Sequence, residues 1–479
     1  MLFYTLPFFV FLVVLISLLL VTRGENKKKL ILLTGSYIFY MWWNPAFITL
    51  IILSTLIDYN LAKRIEITET QHKRKILLVL SLAANLGILG FFKYANFFQD
   101  NLFILMRLFG YEPGWSAFNI ILPVGISFYT FQTMSYTIDV YNRKLKATHS
   151  PLDFAVFVSF FPQLVAGPIV RAADFLPQLA KPVKLNRDSS ALFLFLRGLA
   201  KKVIIADNIS IFADAVFNDP AGWNSIVIWV ATFAFYIQIY CDFSGYSDMA
   251  IAVARLLGFD LMLNFDRPYF ANNPSVFWKK WHISLSSWLR DYLYIPLGGN
   301  RGSVFFTYRN LTLTMLLGGL WHGASWNFVL WGALHGFLLI AHRLIVYLLS
   351  LIPENYKIKP NLITKIISIV TLQYFVLLTW IPFRLVDSDK MLYALKKFIF
   401  FDFNFSLTNL GLEAMAAFST VALMGFFFLL HFYSEIFGGI DEKLAKSNRI
   451  VQYTALLIIG FLLVLLFPTN EAPFIYFQF

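Results

Sequence analysis

The sequence predicts an all-α, polytopic membrane protein, and three observations carry that reading. Of its 479 residues 58% are apolar and only 14% charged, against about 25% charged in soluble globular chains. Apolar stretches long enough for a bilayer recur along the whole chain. Aromatics reach 18%, with 53 Phe and 12 Trp, as a lipid-facing body with interfacial rings requires. Such a chain has too little polar surface to cover itself in water, which excludes a cytosolic enzyme, a secreted domain and a disordered tail as its main character. The single cysteine, Cys241, excludes an intrachain disulfide framework and any CxxC zinc or redox site; no metal is expected.

A spanning helix needs about 20 mostly apolar residues. The stretch 1–21 supplies the first. No basic residue precedes it, and Arg23, Lys27, Lys28 and Lys29 follow it in place of a small-residue cleavage site, so it reads as a retained span. Further apolar stretches fall near 30–44, 46–61, 75–92, 118–140, 203–219, 224–254, 304–321, 324–348, 365–386, 413–433 and 451–467. Of these, 30–44 ends in a Trp-Trp-Asn-Pro turn, and 203–219 carries Asp207 and Asp214.

One stretch behaves otherwise. Residues 154–169 are interrupted by Pro162, Gly167 and Pro168, with basic residues on both flanks, so they read as a re-entrant segment. Broken backbone at membrane depth is tolerated only inside protein or beside a water-filled cavity, and a cavity is expected there. Twelve spans then remain. Placing both termini outside puts 33 of the 39 Lys and Arg on the cytoplasmic side, as the positive-inside rule requires. The net charge of +12 is therefore mostly a topology signal, and nucleic acid is not an expected partner. The whole chain, 1–479, reads as one membrane domain, and residues 468–479 as an external tail after the last span at 451–467.

The stretch 256–303 is long, polar and punctuated by Pro and Gly. Within it Trp278, Lys279, Lys280, Trp281, Trp288, Arg290 and Tyr292 read as an amphipathic helix at the interface.

Seven histidines are present. His72 and His149 lie in basic loops, His342 beside Arg343 and His431 at a span end, all ordinary settings, and His335 sits one turn from Gly332 and Gly336, as a helix-contact residue would. His322 differs: it lies at a Gly-rich break between two apolar helices, in Leu317-Gly-Gly-Leu-Trp-His-Gly-Ala-Ser-Trp-Asn327, where an ionisable side chain marks function by default. Alone, His282 reads as an interfacial residue. Asp242 and Asp248, with Ser244, Tyr246 and Ser247, form a polar knot that is either packing glue or a pocket wall. The loop Leu297-Gly-Gly-Asn-Arg-Gly302 is either a phosphate-receiving backbone nest or a plain turn. The hydrophobic terminus Phe474-Ile-Tyr-Phe-Gln-Phe479 is expected to tuck into the protein or the interface.

Together, Ser159-Phe-Phe-Pro-Gln-Leu-Val-Ala-Gly-Pro-Ile169, Asp242-Phe-Ser-Gly-Tyr-Ser-Asp248, Phe277-Trp-Lys-Lys-Trp-His-Ile-Ser284, Tyr292-Leu-Tyr-Ile-Pro-Leu-Gly-Gly-Asn-Arg301 and Gly319-Leu-Trp-His-Gly-Ala324 resemble the membrane-bound O-acyltransferases. Within them the likeness is to the bacterial branch of alginate and peptidoglycan O-acetyltransferases. It covers nearly the whole chain and is densest over 120–335. The resemblance implies a ring of helices, about twelve spanning, with re-entrant and interfacial helices around a central tunnel. It implies His322 and His282 as the catalytic pair, and Tyr476 as the external residue that carries the acyl group.

On that footing acetyl-CoA, or another acyl thioester, is the donor substrate, with no bound cofactor. Lys279, Lys280, Arg290, Arg301, Asp248 and Asn327 are the expected donor-binding residues. His322, an imidazole with an ordinary pKa near 6.5, is the expected base for the Tyr476 phenol, and His282 is expected to orient the donor or steady the oxyanion. The family's usual partner is an extracytoplasmic serine-hydrolase-like protein that delivers the group to a polysaccharide; membrane lipids surround the chain, and the setting is the bacterial inner membrane. The competing readings are a D-alanyl, lipid or protein acyltransferase of the same superfamily, a transporter of lipid-linked saccharide, and a structural scaffold.

Overall fold

Helix occupies all or part of each of the twelve apolar stretches in the computed structural model, and no strand occurs among the described residues. The structure describes 1–479 apart from 113, 115–118, 187, 354, 356–358, 360, 404–412, 468–473 and 476–479, and apart from the side chains of 413–416. Among the described residues six helical runs are long and apolar enough to cross a membrane: Pro45–Ile67, Gln71–Leu108, Ser225–Leu256, Trp326–Ser350, Leu362–Arg384 and Ala417–Phe437. Leu6–Val21 and Arg449–Leu465 are apolar but shorter.

The fold divides into two compact units, Met1–Ala191 with Met249–Met262, and Leu192–Asp248 with Leu263–Phe479. The first is built from α1 (Leu6–Val21), α2 (Glu25–Met41), α3 (Ile48–Ile67), α4 (Gln71–Leu89), α5 (Ala95–Leu108), α6 (Ile126–Tyr141), α7 (Pro151–Ser159), α8 (Phe161–Leu164) and α9 (Ala172–Leu179). A wider-wound turn at Gly90–Tyr94 joins α4 to α5 in one run of 38 residues. The stretch expected to stop near 92 thus continues to Leu108, about 57 Å at about 1.5 Å per residue. Buried polar groups fasten these apolar helices, as interhelical hydrogen bonds do in lipid: Asp58 of α3 accepts from Ser81 (2.5 Å) and Asn85 (2.8 Å) of α4.

The re-entrant segment breaks where its prolines and glycine predict. Phe160, with non-helical backbone (φ −54, ψ 108), separates α7 from α8, and Pro162 sits in the first turn of α8. The Phe161 amide donates to Ser36 at 3.1 Å, and the Gln163 side chain to the Phe157 carbonyl at 2.6 Å. Gly167 is required: a Cβ there would lie 2.5 Å from the Gln163 Cα. Residues 156–170 are all buried. The broken backbone is therefore packed inside protein, and the cavity inferred from it is not needed to satisfy its polar groups.

The second unit begins within α10 (Ser189–Leu199) and continues through a wider-wound turn, Ala200–Ala206, into α11 (Asp207–Asn218). Then come α12 (Ser225–Leu256), which belongs to this unit up to Asp248, α13 (Pro274–Lys280), α14 (Ile283–Leu289), α15 (Val304–His322), α16 (Trp326–Ser350), α17 (Leu362–Arg384), α18 (Ser388–Ile399), α19 (Glu413–Phe437), α20 (Ile440–Lys446) and α21 (Arg449–Leu465). The 32-residue α12 is 78% buried over its spanning window, against 17–44% for the other five candidate spans. It is apolar because it faces protein, not only because it faces lipid.

Close backbone contact between α15 and α16 rests on glycine. A Cβ at Gly319 would come 2.2 Å from the Phe328 carbonyl oxygen, and one at Gly332 would come 2.3 Å from that of Met315. This contact fixes the end of α15, where His322 stands.

The amphipathic interfacial helix is not observed as one element. Two seven-residue helices, α13 and α14, replace it, broken at Trp281 and His282. Trp281 and Trp288 are buried, 1% and 5% exposed. Indole rings beside lysines suit an interface and a core equally, and tertiary packing decided for the core.

Candidate functional site

His282 caps the start of α14 with φ +42, a left-handed conformation that costs a non-glycine residue energy and is retained only where its surroundings enforce it. Here Asn264 enforces it. The Ile283 amide donates to the Asn264 carbonyl at 2.8 Å. The Asn264 side-chain oxygen accepts from the Ser284 amide (3.2 Å) and hydroxyl (2.9 Å), and lies 3.1 Å from His282 Nδ1. A backbone N–H can only donate, so the Asn264 atom facing it is oxygen. Nδ1 of His282, facing the same oxygen, must then carry the proton. The Asn264 amide nitrogen donates onward to Ser247 at 3.1 Å, which agrees with that orientation.

His282 is fully buried, and burial pushes its imidazole down to about 3. It is therefore the neutral Nδ1–H tautomer, with Nε2 as the acceptor nitrogen. Of the two roles expected for it, orienting a donor by accepting a hydrogen bond is compatible with this state. Steadying an oxyanion requires a donor at Nε2 and is not.

His322 ends α15 and is 4% exposed. Its ring centroid lies 6.5 Å from that of His282, 4.9 Å from Trp331, 5.1 Å from Trp321 and 5.5 Å from Phe383. Phe243 stands edge-on to His282 at 4.6 Å. Two histidines 40 positions apart in sequence thus share one aromatic chamber. At this separation the two rings are too far apart to hydrogen-bond directly.

The remaining histidines are structural or peripheral. His335 pairs with Thr379 at 3.1 Å and His431 stacks on Phe270 at 5.1 Å, whereas His72 and His149 are exposed.

The carboxylates of the polar knot divide. Both oxygens of Asp248 are engaged, by Arg197 at 2.8 and 3.0 Å and Lys201 at 2.7 Å, and Arg197 also reaches Asp441 at 2.5 Å. Asp248 is therefore helix glue between α10, α12 and α20, not an open donor-binding group. Asp242 pairs with Lys202 at 2.8 Å, and Lys202 with Asp207 at 2.7 Å. Its other oxygen accepts the Ile475 amide at 2.7 Å. Asn327 is likewise occupied, since its amide nitrogen donates to the Leu385 carbonyl. The amides of Gly298, Gly299 and Arg301 donate within the loop to Ile295, Tyr294 and Gly298, so the glycine loop is a turn rather than a phosphate nest. Lys279, Arg290 and Arg301 are exposed and Lys280 is half-buried; Arg290 pairs with Asp291 at 2.7 Å.

Of the tail, Phe474 and Ile475 are buried, 0% and 2% exposed. Phe474 packs on Tyr246 at 4.8 Å and on Phe243 at 6.3 Å. Tyr476 lies outside the described residues. Sequence reasoning missed Asn264 and Lys202, each of which stands far along the chain from the group it holds. Lys202 directly follows Lys201 and reads as one more residue of a basic segment, so nothing in the sequence set it apart.

A family model described as MBOAT, membrane-bound O-acyltransferase family, matches residues 32–378. The chain is 38% identical over 437 residues to a probable alginate O-acetylase of Pseudomonas aeruginosa, covering 89% of this chain and 81% of that one. It is 37% identical over 493 residues to a probable alginate O-acetylase of Pseudomonas putida, covering 98% of each. To a peptidoglycan O-acetyltransferase of Helicobacter pylori it is 34% identical over 500 residues, 94% of this chain and 91% of the other.

Proposed function

This chain belongs to the membrane-bound O-acyltransferase family, and from that premise we propose how it passes an acetyl group to an extracytoplasmic polysaccharide. It is a multi-pass membrane enzyme, an O-acyltransferase, and relatives named for alginate and peptidoglycan O-acetylation set the acceptor class. The observation that carries the mechanism is the placing of two buried imidazoles in one aromatic chamber with the tail packed against the same wall.

Acetyl-CoA is a large anion that does not cross a bilayer, but its acetyl group is small. In this reading all of 1–479 forms one membrane domain of about twelve spans, with both termini outside a bacterial inner membrane. The thioester waits at the cytoplasmic mouth of a central tunnel, its phosphates against Lys279, Lys280, Arg290 and Arg301. His282 Nε2 accepts a hydrogen bond from the donor and orients it. A phenol has an ordinary pKa near 10 and needs a base. His322 takes the Tyr476 proton as the phenolic oxygen bonds to the thioester carbonyl carbon. The carbon–sulfur bond then breaks, and the thiolate leaves with that proton. The O-acetyl-tyrosine next surrenders its load to an extracytoplasmic serine-hydrolase-like partner, which acetylates the polysaccharide. Positioned proton transfer of this kind typically contributes about 10²–10⁴-fold.

Isotope-labelled acetyl-CoA followed by mass spectrometry of the carboxy-terminal peptide tests the scheme. Label on Tyr476, lost in His322→Ala, is the expected result. Undiminished labelling in that variant, in protein that remains folded, overturns the base assignment.

A further inference from the structure

We propose that Asp242, held by Lys202, is a positioning residue that docks the carboxy-terminal tail through the Ile475 backbone N–H and so fixes where the acyl-accepting residue stands. The proposal rests on the reading of Tyr476 as that acceptor.

The dock is built from three layers. At its base Lys202 bridges Asp207 at 2.7 Å and Asp242 at 2.8 Å, with all three side chains at most 4% exposed. An unpaired carboxylate on a buried apolar helix is costly; here the Lys202 ammonium stands beside Asp242 as its counter-charge. The helices that carry these groups are brought together at Gly245, where a Cβ would lie 2.6 Å from the Gly198 carbonyl oxygen. In the middle layer Asp242 accepts the Ile475 amide at 2.7 Å, across 233 positions of sequence. Hydrogen bonds with an ionised acceptor are about twice as strong as neutral ones. The third layer is aromatic: Phe474 is fully buried against Tyr246, one turn along α12 from Asp242, and against Phe243.

Phe243 also stands edge-on to His282 at 4.6 Å, so the tail anchor and the histidine chamber share a wall. The anchor grips main chain, not the Ile475 side chain.

The test uses the full chain in detergent, with labelled acetyl-CoA and hydrogen exchange at the Ile475 amide read by mass spectrometry. Ile475→Pro deletes the N–H at a position outside α1–α21; Ile475→Val keeps it and is the control. Asp242→Ala removes the acceptor, and Asp242→Asn restores an oxygen in its place. Labelling of Tyr476 is expected to fall roughly ten- to hundred-fold in Ile475→Pro and Asp242→Ala, the range for losing a hydrogen bond to a charged group. Ile475→Val should stay near wild type and Asp242→Asn should recover most of the loss, with KM for acetyl-CoA unchanged throughout. Exchange at Ile475 should quicken by a similar factor in Asp242→Ala. Equal labelling in Ile475→Pro and Ile475→Val, or wild-type exchange at Ile475 as fast as in a free peptide, overturns the dock. A wild-type chain without label on Tyr476, whose Ile475 amide is nevertheless protected and is released by Asp242→Ala, keeps the dock and removes the tyrosine reading.

Discussion

Replacing Asn264 by Ala removes the side chain that sets the tautomer of His282 and holds the Ser284 amide, while the Asn264 main-chain carbonyl still accepts from the Ile283 amide. Three donors lose their acceptor: His282 Nδ1, the Ser284 amide and the Ser284 hydroxyl. The hydroxyl can rotate to another partner, but the other two are buried and fixed. Orphaning a buried donor costs about 1–3 kcal/mol, so Asn264→Ala should destabilise the protein by about 2–6 kcal/mol. The effect on catalysis is separate. Without the lock His282 samples both tautomers and more than one ring orientation, and about 1.4 kcal/mol of lost positioning is a tenfold loss of rate. Asn264→Asp gives the contrast, since a carboxylate still accepts from Nδ1 and from the Ser284 amide. It should retain the tautomer and much of the rate while losing the donor to Ser247. Thermal melting in detergent and single-turnover acetyl transfer read the two effects. An Asn264→Ala protein with unchanged melting temperature and unchanged transfer refutes the tautomer argument.

Other expectations follow from the same geometry. Gly332→Ala drives a Cβ to 2.3 Å from the Met315 carbonyl oxygen, so α15 and α16 must part; overpacking of this kind costs about 1–3 kcal/mol, and a lower melting temperature together with slowed acetyl transfer should show it. Asp248→Asn leaves Lys201 without a carboxylate and Arg197 with Asp441 alone. Breaking a buried pair costs about 3–5 kcal/mol, here near the low end because the Arg197 and Lys201 side chains are 31% and 18% exposed. Stability should drop with KM for acetyl-CoA unchanged, whereas a raised KM at wild-type stability would return Asp248 to donor binding. His282 sits at about 3 when folded and near 6.5 when unfolded, so the unfolded chain binds the extra proton between those values. Its contribution to stability is full above pH 6.5 and is lost at up to about 1.4 kcal/mol per pH unit as pH falls toward 3. His282→Asn should flatten that acid limb in denaturation curves, and an unaltered limb would contradict the buried neutral state.

Much of this was legible in the residues. The composition and the apolar runs gave the membrane class, and Pro162 and Gly167 marked a break that appears between α7 and the turn after α8. The glycines around His322 announced close approach, seen as backbone contact at Gly319 and Gly332. What misled was chemistry that serves two purposes. Trp281 and His282 among lysines looked interfacial, yet both are core. Asp248 and Asn327 looked available to a ligand, and each is consumed by a partner more than fifty positions away or by a cation pair. The pairings of Asn264 with His282 and of Lys202 with Asp242 leave no periodic trace, because a side chain's partner across helices is set by packing rather than by spacing.

The account stands or falls on whether acetyl alone crosses the membrane. Sealed vesicles containing the full chain, given acetyl-CoA with different labels on its acetyl and CoA moieties on the Lys279 side only, measure this directly. The expected result is acetyl label on the tail and on acceptor at the opposite face while the CoA label stays where it was supplied. CoA label arriving with the acetyl, or transfer only when donor and acceptor share one side, would contradict it.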